Sequence, residues 1–277
     1  MTALYLLLGF VFGIVASYLL VSRKPKNPYL ATTEYWVYLP GEKMPDQNAM
    51  MDRTIGKNPY SHRGRAAVGT AEGLIFSDVR LHIALVLRKK NPHAFRPDLF
   101  AGADASAEAL NALAEANAFV KIRYISEDPL KDARHLQFLP HLVDAVAELG
   151  EAKLIYDVSS ESLMMRAELE DVLRNQADVS GPDVHARVLW KPELDNGHAE
   201  TRGLVKVGHK ELKTPSTPTD QRVLVRMVLE ETIRRIWSNP ILPESLEVEA
   251  FDDRFRVIFE PAKDTFTRVR IMRLRSV

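Results

Sequence analysis

The residues in this 277-residue chain whose types and spacing suggest chemistry are four polar side chains in the segment HAETRGLVKVGHKEL, residues 198–212. His198-x-Glu200 and His209-x-Glu211 repeat one histidine-carboxylate spacing. In extended backbone each pair projects from a single strand face, so two pairs across a turn offer two imidazoles and two carboxylates to a divalent metal. Exposed polar residues flanking a turn are the plainer explanation of the same pattern. Zinc deaminases also use His-x-Glu, but their downstream cysteines have no counterpart in a chain with no cysteine at all. That absence also excludes thiolate catalysis. A second candidate is NPYSHRGR, residues 58–65, where Arg63, Arg65 and loop amides could cradle an anion. Tyr156, Asp157, Ser159 and Ser160 end an expected strand, a place where α/β proteins put sites, although capping of the next helix by a serine accounts for them as well. His135 and His141 are six apart and so do not share a helix face. Phosphate-loop, dinucleotide-binding, zincin and nucleophile-elbow motifs are all missing, and no cofactor is expected.

The same segment carries Thr201, Gly203, Leu204, Gly208, Glu211 and Leu212 in the layout T-x-G-L-x-x-x-G-x-x-E-L, after the strand-like AKLIYDVSS and VHARVLWKP. Over about residues 80–238 this resembles uncharacterised bacterial domains of the DUF4261-like kind, with His209 and Lys210 departing from that layout. The resemblance implies a fold and supplies no chemistry. Gly203 and Gly208 are equally explained by turns that need positive φ.

The elements expected to position these residues follow from periodicity. LHIALVLRK (81–89), FVKIRYI (119–125), AKLIYDVSS (152–160) and VHARVLWKP (184–192) read as strands, and EYWVYLP, ending at Pro40, as a further one. Residues 104–118 are Ala-rich and helical. A helix follows in which Leu136, Leu139, Val143 and Val146 share a stripe, its regular part expected to start near Pro140, where a missing amide hydrogen does no harm. Residues 162–176 form a further helix. Residues 217–238 form another, with Thr217 as cap, Pro218 at the first position and Asp220 as the capping-box acid. LEVEAF, RFRVIFEPA and TFTRVRIMRL then read as a three-stranded antiparallel meander. Strand and helix alternate, which predicts an α+β fold of β-α units around a mixed sheet. The domain layout is an anchor at 1–22, a tether at 23–40, an irregular basic segment at 41–80 and an α+β domain at 81–277. The irregular reading of 41–73 rests on its Gly, Pro, Asn and Asp content.

The anchor is the run from Ala3 to Val21, nineteen residues without a charge. As a helix it rises about 28 Å, close to the hydrocarbon thickness of a bilayer. A cleaved signal would want basic residues before the run, and MTALY has none; a helix apolar all round also has no face for water. Arg23, Lys24 and Lys26 flank its C-terminal end, so the positive-inside bias puts the N-terminus outside and the body in the cytoplasm. Gly9, Gly13 and Ser17 fall on one face of the span, where small residues allow another helix to approach. Membrane contact through residues 3–21 and a homodimer or partner membrane protein are therefore the expected associations.

Net charge is zero, from 37 basic and 37 acidic residues, but residues 23–100 carry +6 (13 basic against 7 acidic) and 101–200 carry −10 (9 against 19). A basic segment beside the anchor suits an anionic leaflet. No long basic run interleaved with aromatics points to nucleic acid. Two functional classes stand: a membrane-anchored scaffold or sensor, and a membrane-tethered hydrolase or metal-dependent enzyme using the 198–211 cluster. A third is an anion or lipid head-group module built on Arg63 and Arg65.

Overall fold

A computed structural model describes residues 30–58, 78–100, 103, 105–128, 130, 132–260 and 266–274. Gly9, Gly13, Ser17, Arg63 and Arg65, and the expected span at 3–21, lie outside the described residues. Among those described, no helix is long and apolar enough to cross a membrane. The fold is α+β with two sheets rather than β-α units around one.

The first sheet has five strands in the order β2-β3-β1-β4-β5, all antiparallel: β1 (Ala31–Leu39), β2 (Leu81–Leu87), β3 (Ala118–Ser126), β4 (Leu154–Asp157) and β5 (Ser162–Met165). The strand expected just after the tether is thus the central one. Its alternation decides its two faces. Tyr35, Val37 and Leu39 pack on helices α1 (Gln47–Lys57) and α3 (Arg134–Leu149), together with Val120, Ile122, Leu139, Val143 and Val146. Trp36 and Tyr38 face the other way, into an aromatic cluster with Phe95, Phe100, Phe119 and Tyr156 that helix α2 (Ala107–Glu115) closes with Leu113.

The second sheet runs β10-β11-β12-β8-β7-β6, with β9 (Thr217–Pro218) pairing β7. It contains the hairpin β6 (Arg187–Glu193) and β7 (Asn196–Arg202), the short β8 (Glu211–Lys213), and the meander β10 (Ser245–Ala250), β11 (Asp253–Glu260) and β12 (Phe266–Arg273). The meander is antiparallel as expected; β12 then pairs in parallel with β8, which makes this sheet mixed. Helix α6 (Arg222–Ile236) lays Val225, Val228, Leu229, Ile233 and Ile236 on one face, against Val248, Phe255, Val257 and Val269. Two short helices connect β5 to β6 along the chain, α4 (Arg166–Asn175), whose Leu169 packs into the core of the first sheet, and α5 (Pro182–His185).

Four expectations need correction. The 41–73 segment contains α1, because Asp46 accepts from the Ala49 amide and so caps its start. The helix over 162–176 starts only at Arg166, since Ser162–Met165 pair with β4. The helix at 217–238 starts at Arg222, and Thr217 and Pro218 are a strand bridge to Gly197 and Asn196 instead of a cap. Helix α3 starts at Arg134, so Pro140 lies inside it. An interior proline leaves the carbonyl four residues back without its helical donor. That carbonyl belongs to Leu136, and His185 Nε2 donates to it at 3.0 Å.

Candidate functional site

The sequence-predicted metal residues do not converge. His198 and Glu200 share a face of β7 and touch at 3.0 Å, but the other ring nitrogen of His198 faces Glu193 at 2.8 Å, so neither nitrogen is left to point outward. Burial raises the Glu200 carboxyl, yet hydrogen bonds from Lys213 and Arg202 and contact with His198 outweigh it and hold the pKa at about 2. His209 is buried elsewhere, its Nε2 donating to the Asn239 carbonyl at 2.7 Å just past the end of α6. Glu211 lies by Thr201, on the other face of β7 from Glu200; it accepts from the Thr201 hydroxyl at 2.7 Å and from the Gly203 amide at 2.9 Å. Burial raises its pKa against those bonds. Among the described residues no group of three or more His, Asp or Glu side chains is arranged to hold a metal ion.

What Glu211 does is build a turn. Its two amide contacts, to Gly203 and at 3.3 Å to Val205, clamp the 3-10 turn Leu204–Val207, and the Thr201 hydroxyl accepts from the Leu212 amide at 2.7 Å. Gly203 and Gly208 bracket the turn at φ +103° and +87°. At Gly203 a side chain is impossible for a second reason: a Cβ would stand 2.1 Å from the His185 carbonyl oxygen. The T-x-G-L…G-x-x-E-L layout is thus a clasp around one residue, Lys206.

Lys206 projects from the turn into the first sheet and is 0 % exposed. Its ammonium donates to Asp157 at the end of β4 and has Tyr35 Oη at 3.4 Å and His185 Nδ1 at 3.3 Å, three acceptors for three N–H groups. His185 Nε2 donates to the carbonyls of Val179 and Leu136, so Nδ1 carries the lone pair, shared between Lys206 and the Tyr35 hydroxyl at 3.2 Å. Asp157 is satisfied in turn by the Ser159 and Ser160 amides, both at 3.1 Å. Burial pulls the Lys206 ammonium below its ordinary pKa, and Asp157 opposes that pull. Burial, then the Lys206 charge, push His185 well down, and burial with Asp157 raises Tyr35. A lysine of lowered pKa is the chemical form of a Schiff-base nucleophile. With Asp157 at 1 % and His185 at 0 % exposure around it, however, no substrate reaches this one. The cluster is a weld between the two sheets.

Asp157 was legible as a strand-end carboxylate. Lys206 and His185 were missed, although a lysine inside the apolar run GLVKVG, between two glycines, is a signal of a buried and paired charge.

Beside the weld the surface opens. A cleft of about 490 Å³ is lined by Leu30, Leu130, Asp132, His135, Val207, Trp237 and Asn239, among others. The turn 204–207 forms one wall, and Gly208 passes close under the Leu30 carbonyl, 3.4 Å from where its Cβ would be. A second cleft of similar volume lies between β7, β8 and β12 and is lined by His198, Lys213, Arg268 and Arg270.

No protein-family model matches the chain, and no curated protein or solved structure matches it.

Proposed function

We propose that the chain is a single-pass membrane-anchored protein that presents its α+β domain at the cytoplasmic face as a non-enzymatic scaffold or sensor. The observation that carries this reading is the uncharged run from Ala3 to Val21 with Arg23, Lys24 and Lys26 behind it, separated by residues 22–30 alone from the central strand β1. Nine residues reach at most about 32 Å, so a domain built on β1 stays within that distance of an anchor at 3–21. The state of the polar groups supports the non-enzymatic half. Glu200, His209, Glu211, Lys206, Asp157 and His185 are each committed to internal bonds that hold elements together. A DUF4261-like kinship fits this proposal, since the residues behind that resemblance form the clasp around Lys206 and carry no chemistry of their own.

The test is alkaline carbonate extraction of membranes from cells making the full chain. Retention in the pellet is expected, with release by the double substitution Val11→Arg and Ile14→Arg. Release of the unaltered chain into the supernatant overturns the reading.

A further inference from the structure

The paths of the two sheets end in the strands β2, β5, β6 and β10, and three of these edges carry the devices by which proteins keep a strand from pairing with other chains. β5 is four residues long, β6 contains Lys191 and Pro192, and β10 sets Glu247 and Glu249 along its length. β2 has none of these. Its seven residues, LHIALVL, include no Lys, Arg, Asp, Glu or Pro, and among the described residues it pairs with β3 alone. The hydrogen-bond phase shows which groups this leaves over. The Arg88 amide donates to the Asn117 carbonyl at 2.9 Å and the Ile125 amide to the Arg80 carbonyl at 3.1 Å, so in this register the even-numbered residues turn their backbone to β3 and the odd-numbered ones turn it outward. The Leu81 amide is taken up by the Asp78 carbonyl, and the Leu87 carbonyl by the Lys90 and Asn91 amides. The Leu81 carbonyl, both backbone groups of Ile83 and of Leu85, and the Leu87 amide have no backbone partner among the described residues.

A donor and an acceptor at every second residue are what an added antiparallel strand needs. The side chains suit the same guest. Leu81, Ile83 and Leu85 are only partly buried against the core of the first sheet, an apolar row that alternate residues of a further strand would extend, while Ala84 on the other face is small and exposed. Charge then selects among guests. Arg80 is paired with Asp78 and Lys89 with Glu42. Arg88 spends its guanidinium on the carbonyls of Leu113, Ala114 and Ala116 at the end of α2, and Lys90 and Lys121 have no carboxylate partner among the described residues. Lys121 stands directly opposite Ala84 on β3. Positive charge on and beside the strand is thus left without its counter-charge. A second copy, in the register that pairs all seven residues, would set Arg80 against Arg88 of the other copy at both ends, and like charges placed opposite each other are destabilising.

We infer that β2 is a docking edge for an extended, acidic-ended segment of a partner protein. The segment adds to the five-stranded sheet as a further strand antiparallel to β2, with apolar residues continuing the row of Leu81, Ile83 and Leu85 and carboxylates meeting Arg88, Lys90 and Lys121. Main-chain bonds supply affinity in this mode, and the alternate side chains and end charges supply selectivity. The inference rests on the scaffold half of the proposed function, naming what the scaffold holds, and owes nothing to the anchor; carbonate extraction and the test below fail independently.

Three synthetic peptides separate the contributions. The first alternates Val and Thr between Asp-Glu ends; the second has the same centre between Lys-Lys ends; the third is the first with every second amide N-methylated, in the phase that removes the donors facing β2. Each carries a fluorophore and is titrated into the full chain in detergent, followed by anisotropy, and amide hydrogen exchange of the chain is measured with and without the first peptide. The expected result is at least tenfold tighter binding of the acidic-ended peptide than of either counterpart, with exchange at Ile83, Leu85 and Leu87 slowed at least tenfold when it is bound. The charge preference should disappear in the double variant Lys90→Glu with Lys121→Glu, which leaves the core and the β2 backbone untouched. No binding of the acidic-ended peptide, equal binding of the basic-ended or the methylated one, an unaltered preference in the double variant, or unchanged exchange at those amides overturns the inference. Protection of the same amides in the chain alone, rising with its concentration, overturns it in favour of a second copy.

Discussion

Lys206 and Asp157 are the residues on which the fold depends most sharply. An ion pair buried to this extent gains little net free energy over an apolar pair, but removing one partner strands the other charge without water. Lys206→Met should therefore cost about 3–5 kcal/mol in urea unfolding followed by tryptophan fluorescence. The double substitution Lys206→Met with Asp157→Asn should cost less than the sum of the two singles, because it removes both charges together. Additive losses would mean that the two side chains act independently. Gly203 gives a second test, with a built-in control. At φ +103° and with the His185 carbonyl in the way, Gly203→Ala should lose at least about 2 kcal/mol, whereas Gly41→Ala, which meets nothing within 4 Å, should stay within about 0.5 kcal/mol of the parent.

The element that transmits these effects is the turn Leu204–Val207. It is held from one side by Glu211, fits beneath Leu30 on the other, and pushes Lys206 across to β1 and β4. Glu211→Ala should thus raise amide hydrogen exchange at Gly203 and Val205 by at least tenfold while leaving the meander β10–β12 protected. Unchanged exchange at those two amides would show that the glycine geometry alone holds the turn. The meander and four of the five strands of the first sheet were legible in the sequence because two-residue alternation reports directly on which face is buried, as at Tyr35, Val37 and Leu39; β5, read as the start of a helix, was not. Helix starts were less legible. Pro140 reads as a first-turn residue by local rules, and the reason it is tolerated deeper in α3 is the tertiary donor His185, 45 positions along the chain, which no local pattern records. The candidate site behaved in the same way. The repeated His-x-Glu spacing is real, but which face each residue occupies depended on strand pairings that separate Glu200 from Glu211 and send His209 to the end of α6. His135 was visible only as half of an unpromising histidine pair.

At the scale of the whole molecule the buried histidines set a pH limit. His135 and His141 are pushed down to about 4, chiefly by burial, and His185 is well below its ordinary value. A histidine whose folded pKa lies below its unfolded value of about 6.5 contributes stability that is complete above that value and is lost as the pH falls towards the folded pKa. Unfolding free energy should be flat from pH 8 to 7 and then decline between about 6.5 and 4, by about 1.4 kcal/mol per pH unit for each proton taken up. Glu200, held at about 2, loses its contribution only below that window, between about pH 4 and 2. A stability that rises on acidification from pH 7 to 5 would contradict the neutral, buried state of these rings.

The sheets are joined by the weld, the weld by the turn, and the turn lies against Leu30, just before β1 and nine residues past the end of the proposed anchor. The account as a whole therefore depends on where the domain sits. Because the chain has no cysteine, a single Leu194→Cys at a fully exposed loop position gives one addressable thiol. A membrane-impermeant maleimide applied to sealed vesicles of both orientations measures its side directly. Labelling only in inside-out vesicles, with the protein retained in the membrane fraction, is the result predicted. Labelling in right-side-out vesicles, or a thiol that washes off with the soluble fraction, contradicts it.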